Sequence, residues 1–287
     1  MKIEKYKIDR KCNARMRDYD PSDKAGLKRE EVENELMPKN LARMAELQDA
    51  LYAENRRGIV VVLQAMDAAG KDGLIKHVFT ALNPQGTQVT PFKQPTEEEL
   101  DHDYLWRVVQ ALPRRGNIGI FNRSHYEDVL VTRVHNLLAV QQIPQNLVDD
   151  HIWERRFEEI RNFEAYLHHN GFRVVKFFLH MSKDEQKKRL LSRIDREDKN
   201  WKFTESDVSE REYWGEYQKA YEDLLSNTST ENAPWYVIPA NHKWFSRYLV
   251  SEIFVRVLED MDPKYPELPA EEKSHLAHWR EVLEQDN

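Results

Sequence analysis

The sequence predicts an α/β protein, a parallel sheet of about five strands flanked by helices, on three observations. Strand-length apolar runs alternate with helix-periodic segments in the order β-α-β-α-β-α-β, which implies parallel strands joined by helical crossovers. The first run, Ile59-Val60-Val61-Val62-Leu63, is continuously apolar, as a strand covered on both faces requires. That strand passes through Gln64-Ala65-Met66-Asp67-Ala68-Ala69-Gly70 into a segment where Leu74, Ile75, Val78, Phe79 and Leu82 recur at helical spacing.

Taken in order, residues 1 to 35 are polar and without sustained period, and an arm running to about residue 40 is expected to pack on the domain or on a partner. Leu41, Met44, Leu47 and Leu51 mark an amphipathic packing helix. The loop after the first strand reads as a phosphate site. Ala68, Ala69 and Gly70 let the backbone turn tightly and aim its N–H groups, with the positive end of the next helix, at an anion that Lys71 can neutralise. Against the pattern G-x-x-x-x-G-K-[ST], Ala65 replaces the first glycine and Asp72 replaces the magnesium-binding hydroxyl. Asp67 is then the natural carboxylate for Mg2+, which prefers hard oxygens shared with substrate phosphates.

A second strand is expected over Thr87 to Phe92, followed by a capping box, Thr96 to Glu99, opening a helix with the core face Leu100, Tyr104, Leu105, Val108 and Leu112. Ile118 to Phe121 is a third strand, and it delivers the polar cluster Asn122-Arg123-Ser124-His125-Tyr126-Glu127-Asp128. Because ligands bind outside the carboxyl ends of strands in open α/β sheets, this cluster and the Lys71 loop should face one space. A long helix is expected over Leu147 to His169, closed by Asn170-Gly171, and a fourth strand over Phe172 to Leu179. A second capping box, Ser182 to Glu185, opens a helix that sets Leu190, Leu191 and Ile194 on one side and stacks Arg189, Arg193 and Arg196 on another. The cationic, aromatic stretch Asp198-Lys199-Asn200-Trp201-Lys202-Phe203 that follows is placed as a mobile lid would be. Trp214, Tyr217, Tyr221 and Leu225 continue a core helix, Pro234 to Pro239 is a fifth strand, Trp244 to Leu258 a long helix, and residues 259–287 a tail with one more helix.

Composition bounds the function. At 287 residues, with no long linker, one domain spanning 1–287 is expected; a single cysteine, Cys12, excludes an internal disulfide and suits a cytoplasmic setting. The charged N-terminus and short apolar runs argue against a signal peptide or a membrane partner. A net charge of −7 argues against nucleic acid as a partner, while 43 lysines and arginines leave room for a local basic channel. The eleven histidines show no zinc-type spacing. Nothing in the candidate site resembles an activated nucleophile. Phosphoryl transfer between phosphates needs none, because the acceptor oxygen is already ionised and the work is positioning and charge neutralisation. A switch-type GTPase would show Asn-Lys-x-Asp, which Asn241-His242-Lys243-Trp244 does not match.

Three separated motifs, Gln64 to Gly73, Ile120 to Asp128 and Asp198 to Lys202, together resemble the polyphosphate kinase type 2 family, over about Leu41 to Leu258. The resemblance implies a P-loop kinase fold like that of thymidylate kinase, with an arginine-rich helical lid in 182–215. It also implies Mg2+-dependent, reversible transfer of phosphate between inorganic polyphosphate and adenine or guanine nucleotides, by a homo-oligomer, dimer or tetramer. By that resemblance Asp67, Lys71, Asn122, Arg123 and Glu127 are the catalytic set, with Asp67 and Glu127 on the metal. Phosphate contacts are expected from Ala68, Ala69, Gly70, Lys71, Asp72, Gly73, Arg133, Arg189, Arg193, Lys199 and Lys202. Nucleotide contacts are expected from Phe92, Lys93, Asn122, Arg123 and Asp128. Many family members carry Asp where this chain has Asn122, and the pairing of Asn122 with Glu127 resembles the subgroup, class III, that phosphorylates AMP as well as ADP. The competing readings are an ATP-dependent nucleoside monophosphate kinase of thymidylate-kinase type, which predicts a closed pocket with a second adenine site, and a non-catalytic nucleotide-binding regulator. A polyphosphate enzyme predicts a continuous basic groove from loop to lid.

Overall fold

The computed structural model describes residues 2–286. Its elements, in chain order, are β1 (Lys7–Ile8), α1 (Met37–Glu54), β2 (Gly58–Ala65), α2 (Lys71–Val78), β3 (Thr87–Pro91), β4 (Ile118–Asn122), α3 (Ile152–His169), β5 (Phe172–His180), α4 (Lys183–Asp195), α5 (Trp214–Thr228), β6 (Trp235–Pro239), α6 (Lys243–Met261) and α7 (Ala270–Gln285), with shorter helical turns between them. The strands form one sheet in the order β1-β6-β5-β2-β4-β3. All neighbours are parallel except β1, which adds to β6 antiparallel through Lys7↔Tyr236 and Ile8↔Trp235. The five expected parallel strands are present, and the sixth comes from the polar arm.

Every residue of β2 is buried, and its alternation divides the core. Ile59, Val61 and Leu63 join α1, α2 and α6 on one face, through Met44, Leu74, Phe245, Leu249 and Phe254. Val60 and Val62 join α3 and α5 on the other, through Phe157, Ile160, Tyr221, Leu224 and Leu225. A strand covered on both faces in this way has no polar side to offer, which is why the run is continuously apolar. Among the described residues no helix is long and apolar enough to cross a membrane.

Two helix boundaries differ from expectation for local reasons. The helix opened by Thr96, whose reciprocal capping box with Glu99 is formed, stops at Leu100, and a separate helix runs Trp106–Gln110. The Asp103 carboxylate accepts the Leu105 N–H at 2.9 Å and so offers the backbone a turn instead of a continuing helix. α3 begins at Ile152 and not at Leu147, because Asp149 makes the same kind of turn with the His151 N–H.

Register sets the carboxyl ends of β2, β4 and β5 side by side, with Leu63 opposite Asn122 and Phe177. Beneath that edge lies a charged network with no access to water. Lys176 of β5 donates to Glu164 at 2.6 Å, to the Tyr126 hydroxyl at 2.9 Å and to the Thr228 carbonyl at 2.8 Å. Tyr126 in turn donates to Glu164 at 2.7 Å, fastening the segment after β4 to α3 and β5. Burial pushes the Lys176 ammonium down and would push the Glu164 carboxyl up, but Lys176 and His125 hold Glu164 below its ordinary value. Removing one partner strands the other's charge. Glu164→Leu should therefore cost about 3–5 kcal/mol of unfolding free energy, and the double variant Glu164→Leu/Lys176→Met should recover a large part of it. Denaturant titrations of the three proteins measure this, and strictly additive losses would contradict it.

Candidate active site

The loop after β2 is shaped by three departures from ordinary backbone. Ala68 has φ +64°, Gly70 has φ +110°, and Arg123 at the end of β4 has φ +67°. Only Gly70 reaches its conformation without strain from a Cβ, which explains a glycine immediately before the helix. Non-glycine residues in this region cost about 1–3 kcal/mol each and persist where their surroundings over-determine them. Those surroundings are visible here. Arg189 of α4 donates to the Ala69 carbonyl at 2.7 Å and the Ala68 carbonyl at 3.3 Å, and its other arm reaches the carbonyls of Ala240 and Asn241. Glu185 takes its Nε at 2.8 Å, and Gln186 donates to the Asp67 carbonyl at 3.0 Å.

Arg189 therefore differs from its expected place among free phosphate-binding cations of the lid. Its guanidinium is buried and fully engaged in bracing the loop, because a loop that turns its N–H groups outward turns its carbonyls inward and those need a donor.

Arg123 stands between two carboxylates. Its Nη2 donates to Asp67 Oδ1 at 2.7 Å and its Nη1 to Glu127 Oε2 at 2.9 Å. Glu127 and then Asp67 hold the guanidinium ionised still more firmly than usual, against burial. Its own N–H donates to the Leu63 carbonyl at 3.1 Å, which continues the β2–β4 ladder and fixes the turn. Asn122 crosses to the first turn of α2, where its Nδ2 donates to Asp72 Oδ1 at 2.9 Å. Lys71 donates to the Ala65 carbonyl at 3.1 Å; desolvation within the loop, followed by the neighbouring Arg123, pushes its ammonium down to about 8, while Asp67, Glu127 and Asp72 oppose the fall.

These groups open onto a cleft of about 950 Å³ lined also by Gly73, Phe92, Lys93, Lys188, Arg193, Lys199, Lys202, Lys243 and Arg247. Ten cationic side chains line it against four carboxylates, Asp67, Asp72, Glu185 and Asp198, in a chain whose net charge is −7. Some of the cations are held. Arg193 donates to Asp207 at 2.9 Å, and Lys199 to the Ser192 hydroxyl at 3.3 Å. Lys202 lies 4.8 Å from the ring centre of Trp201, itself 78% exposed on the lid. Phe92 is buried edge-on against Phe121, and Arg107 fixes the next carbonyl, Lys93, at 2.8 Å.

Three expected positions fall elsewhere. Arg133 pairs with Asp223 of α5 at 2.8 Å and lies over Trp153, away from the cleft, because it sits on the turn that packs against α5. Asp128 is buried beside Gln141, which donates to it, and lines a separate cavity of about 390 Å³ with Tyr104 and Arg156; burial raises its carboxyl to about 6. Glu127 lies behind Arg123, in a small cavity with Tyr217 and Tyr221, and does not line the main cleft. Arg196, third of the stacked arginines, pairs with Asp198 at 2.7 Å at the surface. The sequence reading missed Lys188, Lys243 and Arg247. The rule that ligands lie beyond the carboxyl ends of strands, applied to β6 as well as to β2 and β4, would have found the last two.

Asp67, partly exposed in the cleft and with one carboxylate oxygen on Arg123, is compatible through its other oxygen with a magnesium ion held chiefly by phosphate and water oxygens. Glu127 could join it only by giving up Arg123. Among the described residues no three acidic, histidine or cysteine side chains converge into a closed metal cage.

The model of the family described as polyphosphate kinase 2 matches residues 26–266. The chain is 48% identical over 252 residues to an ADP-polyphosphate phosphotransferase of Rhodopseudomonas palustris, covering 87% of each. It is 46% identical to an AMP/ADP-polyphosphate phosphotransferase of Meiothermus ruber, covering 92% of this chain and 96% of the relative. Among solved structures, the crystal structure of polyphosphate kinase 2 from Arthrobacter aurescens TC1 superposes with a TM-score of 0.82 at 40% identity, covering 91% of each chain.

The position of Lys71 gives a pH dependence with a definite sign. Its ammonium is charged below about 8 and neutral above, so capture of a polyanion by the free protein weakens as pH rises through that value. Long-chain polyphosphate, whose internal phosphates stay singly ionised throughout, is the suitable probe. Its affinity should fall across this range for the wild type and stay flat for Lys71→Arg; a flat wild-type profile would contradict the assignment.

Proposed function

This chain belongs to the polyphosphate kinase 2 family, and we propose that it transfers phosphate from inorganic polyphosphate to AMP and ADP, giving ADP and ATP. The observation that carries the proposal is the cleft itself, predominantly cationic from the loop to the lid, with ten positive groups against four negative ones. A nucleotide donor presents a short phosphate tail and a base, and needs an apolar slot for the base; a chain of phosphates needs length and charge. The names of the Rhodopseudomonas and Meiothermus relatives agree with that substrate class.

In this reading the loop N–H groups, Lys71 and Arg123 gather the transferring phosphate, and the acceptor's terminal phosphate oxygen attacks without a general base. Arg123 is preset by Asp67 and Glu127, so little reorganisation is left for the moment of reaction. Arg193, Lys199 and Lys202, on the lid side, exclude water and neutralise the donor. Asp67 would hold Mg2+, which when bound neutralises charge on the phosphates in transfer. Asn122 is the neutral partner of Asp72, and a neutral amide at this place lets an acceptor phosphate sit at either of two depths, as use of both AMP and ADP requires.

Incubation with AMP, polyphosphate and Mg2+, with no ATP added, should yield ADP and then ATP. Formation of ADP only when ATP is supplied would instead identify a monophosphate kinase. Asp67→Asn should lower the rate by about 10²- to 10³-fold while leaving the unfolding midpoint nearly in place; near-normal turnover would remove Asp67 from the metal site.

Asn122→Asp would set a carboxylate against that of Asp72, where Asn122 now donates at 2.9 Å, and so favour a cation or a shared proton between them. It should therefore change the ratio of AMP to ADP turnover more than their sum. A wild type inert toward AMP, or an unaltered ratio, would show that Asn122 does not set acceptor choice.

A further inference from the structure

We infer that Gln186 is a positioning residue of the phosphate loop: its one side-chain amide fastens the loop at Asp67 to the segment by which the lid returns to α5, so that loop and lid take up their working geometry together. The inference rests on the transfer reading above for its kinetics, and on geometry alone for the link itself.

Gln186 projects from near the start of α4 into the small cavity behind Arg123, on the side of the loop away from the main cleft, and is buried there. Its Nε2 donates to the Asp67 carbonyl at 3.0 Å, and its Oε1 accepts from Arg211 Nη1 at 2.6 Å. The two partners hold the amide in one orientation, since turning it over would set an oxygen against a carbonyl and an NH2 against a guanidinium. Glutamate has the same length but only accepts when ionised, and methionine does neither.

The consequence for the loop follows from the planarity of the peptide. In a trans peptide the C=O and the N–H point in opposite directions, so an Asp67 carbonyl drawn toward Gln186 turns the Ala68 N–H toward the cleft that Ala68 lines. Ala68 has φ +64°, so the peptide that Gln186 holds is one the backbone would relax if it were released. Arg123 holds the Asp67 side chain at 2.7 Å, which leaves the carbonyl as the remaining point of control over this residue.

The other brace of the loop does not reach the lid's return. Arg189 ties the Ala68 and Ala69 carbonyls to Glu185 on its own helix and to the carbonyls of Ala240 and Asn241 after β6. Gln186 differs in its second partner. Arg211 lies in the turn Glu210–Tyr213, which directly follows the helical turn Ser206–Ser209. Four residues before Arg211, the buried Asp207 accepts from Arg193, a cation of the cleft, at 2.9 Å. One short segment, none of whose residues lines the cleft, therefore touches a phosphate-facing cation through Asp207 and the loop backbone through Arg211 and Gln186. An anion that moves one contact acts on the other, because the segment between them is a single helical unit.

The test has two arms, each run on the wild type, on Gln186→Met, which loses both bonds at similar volume, and on Gln186→Glu, which keeps Arg211 and loses the donor to Asp67. In the first arm, amide hydrogen exchange is followed with and without saturating pyrophosphate, an anion short enough to sit at the loop. Pyrophosphate should slow exchange in residues 206–213 of the wild type; in both variants that slowing should shrink by about fivefold or more, as loss of one hydrogen bond allows, while the slowing at residues 70–74 remains. In the second arm, with long-chain polyphosphate, ADP and Mg2+, kcat should fall by about ten- to a hundredfold in both variants, as misplacement of a catalytic group does. KM for polyphosphate should stay within about twofold of the wild type, because the cations that hold the donor are untouched. A Gln186→Glu protein that behaves as the wild type would show that the amide only anchors Arg211, and would overturn the inference. So would equal losses in kcat and in affinity, an exchange response in 206–213 that is absent from the wild type or intact in Gln186→Met, or faster exchange throughout β2 and α4 in both variants, which marks a general loss of packing. A wild type inert on polyphosphate whose exchange response is lost in both variants would overturn the transfer reading and uphold the link.

Discussion

The constraint on which this structure depends is the need to hold many positive charges together before any phosphate arrives. In water such a cluster would disperse; on a folded chain it must be pinned by groups that do not neutralise it entirely. Three kinds of partner do this here. Backbone carbonyls of the loop and of the strand-β6 turn hold Arg189, a pair of carboxylates holds Arg123, and Asp207 holds Arg193. Lys71, left with a single carbonyl, is the group whose charge is most weakened by the arrangement. Because the dipoles and charges are in place beforehand, a phosphate entering the cleft meets an environment that need not reorganise around it.

The sheet makes this possible by ending β2, β4 and β5 at one level, so that the loop, the Asn122–Glu127 segment and the N-terminus of α4 open onto the same space. The left-handed backbone at Ala68 and Arg123 is the local cost. It is borne by the Arg189 brace above and by the Lys176–Glu164–Tyr126 network below, which fastens the chain only three residues beyond Arg123. A buried ion pair is a poor source of net stability, yet breaking one is costly, and that asymmetry suits a part whose task is to fix one conformation of a strained turn.

Much of this was legible in the sequence, because periodicity and short motifs are local. The continuous apolar run of β2, the alternation of strands and helices, the small-residue loop before Lys71 and the polar cluster after β4 all report on their own neighbourhoods. What was not legible depended on distant partners. β1 is two residues of a polar arm and exists because β6 offers an edge. Arg189 reads as one of three stacked arginines until the carbonyls some 120 residues earlier are brought to it. Arg133 reads as a cation near the site until Asp223 claims it. Lys243 and Arg247 sit at the start of what reads as one more long helix, and only the placement of β6 beside β5 brings its first two turns to the loop.

The central claim, that the cleft takes a chain of phosphates as its donor in place of a nucleotide, is tested most directly by the salt dependence of binding. The lid residue Trp201 offers a fluorescence signal for a titration of long-chain polyphosphate, and separately of ATP, at increasing salt in the absence of turnover. Each phosphate neutralised contributes about −0.7 to the slope of log affinity against log salt for a flexible polyanion. The account predicts a slope of about −3 or steeper for polyphosphate, clearly steeper than for ATP; equal slopes for the two ligands, or a polyphosphate slope near −1, would contradict it.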